Sequence, residues 1–293
     1  MPISNKESNV IFNFITKVYR EYITDINEYI QNIKSNPKKN RLQFISNFIN
    51  KITLKIIDSA NETQLIKNVV LSDNNISINK KGKFLFVVKI IDSIDNMESC
   101  QEFGSIFSII DNTSKDILMS GCLHFSYLVE LVLAKKKTAE LYTFSENSFI
   151  KTKNIKTPKI GNTYIANEGK QKLWKEYHIN QYLDKIKINH NLVYNKSLIS
   201  NFFHILLKGG VLLCPSDLEN PNGYIELVFE ALPMAFIINN SGGIAKDKKT
   251  DILNIKFPST KKKIKQTTNF ILGSQNELDI YNNVINPSLV YFD

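Results

Sequence analysis

Glu230 lies in the stretch of this chain best equipped for chemistry, residues 209–243, GGVLLCPSDLENPNGYIELVFEALPMAFIINNSGG. A carboxylate at the start of a helix acts as a cap or as a catalytic group, and the local spacing puts Glu230 near such a start. Gly209-Gly210 opens a short apolar run over Val211, Leu212, Leu213 and Cys214, which Pro215 stops, the pattern of a buried strand. A loop over 215–223 carries a proline turn at each end. Apolar residues return at Ile225, Val228, Phe229 and Leu232, and Pro233 fits only the first turn of a helix. Gly242-Gly243 can supply its left-handed stop. Other constellations are missing. The four histidines form no Ser-His-Asp, Cys-His or zinc pattern, and Cys100, Cys122 and Cys214 have no metal spacing.

The order of these residues resembles class I fructose-1,6-bisphosphatase. That family carries GG, an apolar run, YP, a PxGK loop, YE, PM-A and a second GG. Here the matching residues are Gly209-Gly210, Cys214-Pro215, Pro221-Asn222-Gly223, Phe229-Glu230, Pro233-Met234-Ala235 and Gly242-Gly243. Ile271-Leu272-Gly273-Ser274 resembles the family's ILGS. Ser120-Gly121-Cys122 through Val132-Leu133-Ala134 is similar to its AGY and TMLVLA strands.

The resemblance implies a set of metal-binding carboxylates. Val69-Val70-Leu71-Ser72-Asp73-Asn74-Asn75 resembles the strand end where the family places two adjacent glutamates, which puts Asp73 and Asn74 in the catalytic positions. Asn offers a carbonyl oxygen but neither neutralises a cation nor acts as a base. The segment from Lys89 to Glu98, KIIDSIDNME, resembles the metal signature DP(L/I)DGSSNID. Two aspartates three apart in a turn after a strand would direct oxygens to Mg²⁺ ions that clamp phosphate and activate water. Two registers fit. The ungapped one, anchored by Gly82 and by Gly104-Ser105-Ile106-Phe107, puts Lys89 on the first aspartate and Asp92 on the second, with Asn96 and Glu98 on later positions. Sliding by three makes Asp92 and Asp95 the pair, at the expense of an insertion and a deletion. The ungapped register is favoured. The implied metal set is Asp92, Glu230, Asp73 and, in the shifted register, Asp95.

The implied substrate contacts are thinner. Asn167-Glu168-Gly169 matches the family's NEG, whose Asn reaches the far phosphate of the sugar; an Asn there also commonly serves as a helix cap. Lys170 replaces the aromatic residue after NEG and could meet a phosphate as a point charge. Tyr194 is kept from RY, while the arginine has become Val193. Tyr224 replaces the substrate lysine of GK, Cys214 the tyrosine of YP, and Glu226 the usual arginine beyond that lysine. A GTGELT-like AMP-site segment and the long mobile loop are both missing from the N-terminal region.

Elements to hold these residues are legible. Ile11, Phe14, Ile15, Val18, Tyr22, Ile26, Tyr29, Ile30 and Ile33 recur at three and four, an amphipathic helix broken by Asn36-Pro37. Ile45, Phe48, Ile49, Ile52 and Ile56 mark a second. The 293 residues can bury a sizeable core, with 43% hydrophobic and 22% charged residues. The net charge of +9 comes almost wholly from scattered lysines, with Arg20 and Arg41 the two arginines, which reads as solvated surface and argues against nucleic-acid binding. No apolar run reaches the roughly 18 residues of a membrane span, and the polar start lacks a signal-peptide core. Three cysteines cannot all pair, so a reducing cytoplasm is the default.

The resemblance implies an α/β (α+β layered) sugar-phosphatase fold with alternating helix and sheet layers, its two N-terminal helices packed on a large mixed sheet. Residues 1–155 would carry the metal-motif segment, and 156–293 the sugar-phosphate contacts and Glu230. The resemblance, with its substitutions, implies a sugar-bisphosphate phosphatase homologue that has lost most or all activity. The alternative is a working Mg²⁺-dependent fructose-1,6-bisphosphatase acting on the 1-phosphate in gluconeogenesis. Mg²⁺ would be the cofactor of an active protein, through a weakened site, and an inactive one would need none. Expected partners are a sugar phosphate and further copies of the chain or a related subunit, with neither nucleic acid nor membrane.

Overall fold

The computed structural model describes residues 3–35, 41–258 and 264–286. The Asn36-Pro37 break and Lys261 to Lys263 lie outside them. The chain divides into two compact units, one of residues 1–133 with 140–153, the other of 134–139 with 154–293.

In the first unit, α1 (Asn5–Ser35) and α2 (Arg41–Thr63) follow the two apolar periodicities. Ser4 and Glu7 form a reciprocal cap at the start of α1: Glu7 N–H donates to Ser4 Oγ at 3.2 Å, and Ser4 N–H to Glu7 Oε2 at 3.1 Å. Lys83 Nζ adds an ion pair to Glu7 Oε1 at 2.6 Å. The two helices are pinned at Asp25, a 4% exposed residue of α1 whose carboxylate meets Lys51 at 2.8 Å and Lys55 at 2.7 Å, both from α2.

An eight-stranded sheet receives them, in the order β2-β1-β3-β4-β5-β6-β7-β8. Its strands are β1 (Ile66–Val70), β2 (Asn75–Ser77), β3 (Phe84–Asp92), β4 (Phe103–Asp111), β5 (Ile117–Phe125), β6 (Val129–Lys135), β7 (Thr138–Ser145) and β8 (Ser148–Asn154). β1 and β3 are parallel, whereas β3, β4 and β5 pair antiparallel, so the sheet is mixed. The apolar face of α1 and α2 joins Phe86, Val88, Phe107 and Leu123 in one core, with rings interlocked at Phe14–Phe86, Tyr19–Phe107 and Tyr22–Phe48. The short helix α3 (Ile94–Glu98) links β3 to β4.

The second unit is built on a six-stranded sheet in the order β10-β9-β11-β16-β13-β14. Parallel β9 (Thr163–Ala166), β10 (Asn191–Leu192) and β11 (Val211–Cys214) are followed by antiparallel β16 (Phe270–Gly273), β13 (Ile244–Asp247) and β14 (Thr250–Asp251). On one face Tyr164, Leu213 and Ile271 pack against α4 (Tyr177–Ile186) and α7 (Gln275–Ile285). The alternating residues Ile165, Leu212 and Leu272 are buried as well, so both faces are covered. α5 (Leu198–Lys208) leads into β11 through Gly210, at φ 105°, where a Cβ would collide with the Thr163 carbonyl; only glycine lets β9 and β11 approach. The pair β12 (Ile225–Glu226) and β15 (Thr267–Thr268) completes the strands.

Candidate active site

In the first unit, the predicted groups lie in or just after the C-terminal parts of the neighbouring parallel strands β1 and β3. After β1 the chain turns back into β2, closed by Leu71 N–H to Asn74 O at 2.7 Å. Asp73 and Asn74 are exposed on that turn. Asn74 uses its side-chain oxygen locally, accepting Asn75 N–H at 2.9 Å.

β3 runs through Lys89 to Asp92 with an irregularity in pairing: Lys89 faces Ile106 and Asp92 faces Gly104, so three steps on β3 match two on β4. The adjacent residues Ile90 and Ile91 within this stretch are both buried. Lys89 is half-buried, and its carbonyl accepts Ser105 Oγ at 2.9 Å. Asp92 is 5% exposed and accepts Ser93 Oγ at 3.1 Å. Ser93 takes the left-handed conformation at φ 62°, which turns the chain sharply into α3. Asp95 is exposed on α3. Asn96, fully buried, donates to Glu102 O at 2.7 Å, and its own side-chain oxygen has no hydrogen-bond donor.

The surroundings of Asp92 resist further charge. Burial pushes the Tyr22 phenol and the Cys122 thiol well above their usual values, and the Asp92 carboxylate adds to both shifts. Tyr22 spends its hydroxyl on Ile90 O at 3.0 Å, and Tyr19 its own on Ser105 Oγ at 3.0 Å. The helical spacing shows Tyr22 as core. That its hydroxyl holds the bulge beside Asp92 has no signal in the sequence.

In the second unit, Glu230 stands within a single π-helical turn, Leu227–Ala231, that leads into α6 (Leu232–Asn240). It is 6% exposed, and its Oε2 accepts the main-chain N–H of Glu226 at 2.7 Å. The carboxylate therefore caps its own turn. Before it, Gly223 at φ 85° passes so close to the Thr268 carbonyl that no Cβ fits. Gly242, at φ 99°, follows the end of α6.

Three of the four predicted substrate contacts, Asn167, Tyr194 and Tyr224, line one pocket of about 70 Å³ in this unit, together with Lys196, Asn195 and Cys214. Asn167 begins a 3₁₀ helix (Glu168–Leu173), yet its side chain makes no capping bond, so the cap reading does not hold there. Its side-chain oxygen lies over Gly169 instead. Lys170 stands outside the pocket lining, its ammonium 2.6 Å from Glu219, which holds its charge and raises its pKa. Tyr224 donates its phenol to the Cys214 thiol, which burial pushes up to about 12. Burial likewise raises Tyr194, and Lys196 and Lys170 oppose that rise, so both cations act on this phenol. Sequence reasoning missed Asn195, Lys196 and Asn201. Asn201 ties down the loop by accepting Asn195 N–H at 3.0 Å and donating to Asn195 O at 2.6 Å.

Among the described residues, no three His, Cys, Asp or Glu side chains gather as a metal-holding group. Asn74 is neutral, Lys89 brings an ammonium to the strand that ends in Asp92, and one Glu230 oxygen is spent on Glu226. Mg²⁺ gives up water reluctantly and asks for several anionic oxygens.

The C-terminal domain of fructose-1-6-bisphosphatase matches residues 157–286. A class 1 fructose-1,6-bisphosphatase of Campylobacter concisus is 31% identical over 216 residues, covering 71% of this chain and 73% of the relative. Those of Leptospira biflexa and a Sulfurihydrogenibium species are 32% and 28% identical, and this chain spans 65% of the length of each. The holo form of Leishmania major fructose-1,6-bisphosphatase superposes with a TM-score of 0.83, covering 97% of this chain and 95% of that one at 21% identity, a likeness of fold. With that order of elements and these relatives, the chain belongs to the class 1 fructose-1,6-bisphosphatase family.

Proposed function

We propose that this chain is a family member that binds a sugar phosphate in its second unit and has lost the metal-dependent hydrolysis, or retains a small remnant of it. The observation that carries the reading is the change of donor set. A neutral Asn74 and a cationic Lys89 stand in the segments that resemble the metal-binding signatures, and Glu230 is engaged as a cap. Mg²⁺ asks for several anionic oxygens, so a neutral amide and an ammonium in those segments weaken its binding.

Support for binding comes from the pocket of Asn167, Tyr194, Tyr224 and Lys196. Its size admits little more than one small anionic group. Amide, phenol and ammonium groups are the donors that a phosphate oxygen needs. Self-association, or association with a related subunit, and a cytoplasmic location belong to the same proposal. No helix among the described residues is long and apolar enough to cross a membrane.

A second reading, a weakened but working Mg²⁺-dependent fructose-1,6-bisphosphatase using Asp73, Asp92, Asp95 and Glu230, draws support from the burial of Asp92 and Glu230, two carboxylates kept out of water. One experiment separates them. Phosphate release from fructose 1,6-bisphosphate is followed over a titration of Mg²⁺ and Mn²⁺, with binding of the same ligand measured by calorimetry. Binding without release supports the first reading. Release that Glu230→Gln abolishes overturns it.

A further inference from the structure

We propose that the first unit carries a separate binding site for a small organic anion with an apolar body, in the pocket beneath the last turns of α1. The pocket has a volume of about 570 Å³ and is lined mainly by carbon. That volume falls within the range of small-ligand sites, which are concave, largely apolar and supplied with few polar groups. Ile26, Ile30 and Ile33 of α1 form one wall. Phe103 and Phe125, stacked with centroids 5.0 Å apart and planes within 19°, form a flat second wall, with Met97 beside them. A planar or extended hydrocarbon body fits between such surfaces and removes them from water.

Charge selects the head group. Lys34, at the end of α1, and Arg41, at the start of α2, both line the pocket. Arg41 Nη1 lies 3.7 Å from Cys100 Sγ, which holds the guanidinium against the pocket wall. Among the described residues of the lining, Glu102 is the one acid, and its carboxylate lies 3.6 Å from His124 Nε2. Guanidinium and ammonium recognise carboxylate, sulfonate or phosphate. None of the groups discussed for sugar-phosphate binding lines this pocket.

The exposed Cys100 provides a reporter, because Cys122 and Cys214 are buried. Fluorescence titration of the full chain with 8-anilinonaphthalene-1-sulfonate should give saturable, one-to-one binding, and the bound probe should slow alkylation of Cys100 by iodoacetamide. Arg41→Gln should weaken the sulfonate about tenfold, the effect of one charge-assisted hydrogen bond, and leave the neutral analogue N-phenyl-1-naphthylamine unchanged. Ile30→Trp, which fills the pocket, should abolish binding of both probes while thermal melts stay within a few degrees of the parent. Equal behaviour of the two probes toward Arg41→Gln would overturn the anion assignment. Unchanged binding in a folded Ile30→Trp variant would overturn the site. So would a fall in sedimentation coefficient in that variant, because it would make the pocket a contact between chains.

Discussion

Glu230 Oε2 and the main-chain nitrogen of Glu226 lie 2.7 Å apart, joined by a part-buried hydrogen bond that closes the turn on which Glu230 rides. Glu230→Ala removes a charged acceptor and leaves a main-chain donor without its partner, at a cost of about 2 kcal/mol. Glu230→Gln keeps an oxygen in place and should recover more than half of that. Urea unfolding followed by circular dichroism measures both. If the alanine variant unfolds at the parent's midpoint, the bond adds no stability and the cap assignment fails.

The thiols should divide sharply by environment. Burial pushes Cys214 up to about 12, so almost no thiolate exists at pH 8, whereas Cys100 is exposed. Ellman's reagent should titrate one thiol in the native protein and three after unfolding. The Tyr224 phenol hydrogen-bonds the Cys214 sulfur and offsets part of the rise. Tyr224→Phe should therefore make Cys214 less reactive, provided it stays enclosed. Faster labelling in that variant would mean that the phenol shields the thiol rather than tuning it.

How much of this was legible in the chain depended on whether a feature leaves a periodic trace. α1, α2 and β11 did, because burial selects apolar residues at fixed spacing, and Asn36-Pro37, Gly209-Gly210 and Pro215 mark breaks in the sequence. Position 230 was legible as a helix start, but the π-helical turn was not, since one extra residue in a turn leaves apolar spacing almost unchanged. The bulge after Lys89 left no separate trace, since the adjacent buried pair Ile90 and Ile91 fits an unbroken central strand equally well. The lining contributed by Asn195, Lys196 and, from α5, Asn201 depends on how these segments lie against β11, which is tertiary information. Asn167 looked like a cap from its position, yet its side chain makes no such bond.

At the start of α1, Glu7 joins Ser4 and Lys83, and the Lys83 hydrogen bond is the largest cause lowering its pKa to about 2 from an ordinary 4.5. A lowered folded-state value means that the stabilisation is complete above about pH 4.5 and is lost as pH falls toward 2. The Lys83 side chain is 65% exposed, so solvent and salt reduce the contribution to about 0.5–1 kcal/mol. Glu7→Gln should lose that amount at pH 7 in low salt. The difference from the parent should shrink steadily between pH 4.5 and pH 2, and in 1 M salt. A difference that is constant with pH would assign it to the helix cap alone.

Lys89 and Asp95 decide between the two registers of the metal-like segment. If Lys89 stands at the first ligand position, its ammonium repels any divalent cation drawn to Asp92. Lys89→Asp, combined with Asn74→Glu, should then raise Mn²⁺ affinity about tenfold or more, one unit of tenfold for each 1.4 kcal/mol of repulsion removed or attraction gained. Electron paramagnetic resonance of free Mn²⁺ reads this directly without relying on turnover. Asp95 is exposed on α3, two residues past the left-handed Ser93, and Asp95→Asn should leave Mn²⁺ uptake unchanged. The shifted register predicts the reverse. There Asp92 and Asp95 bind together, so Asp95→Asn alone abolishes the uptake of the parent, and replacing Lys89 changes little.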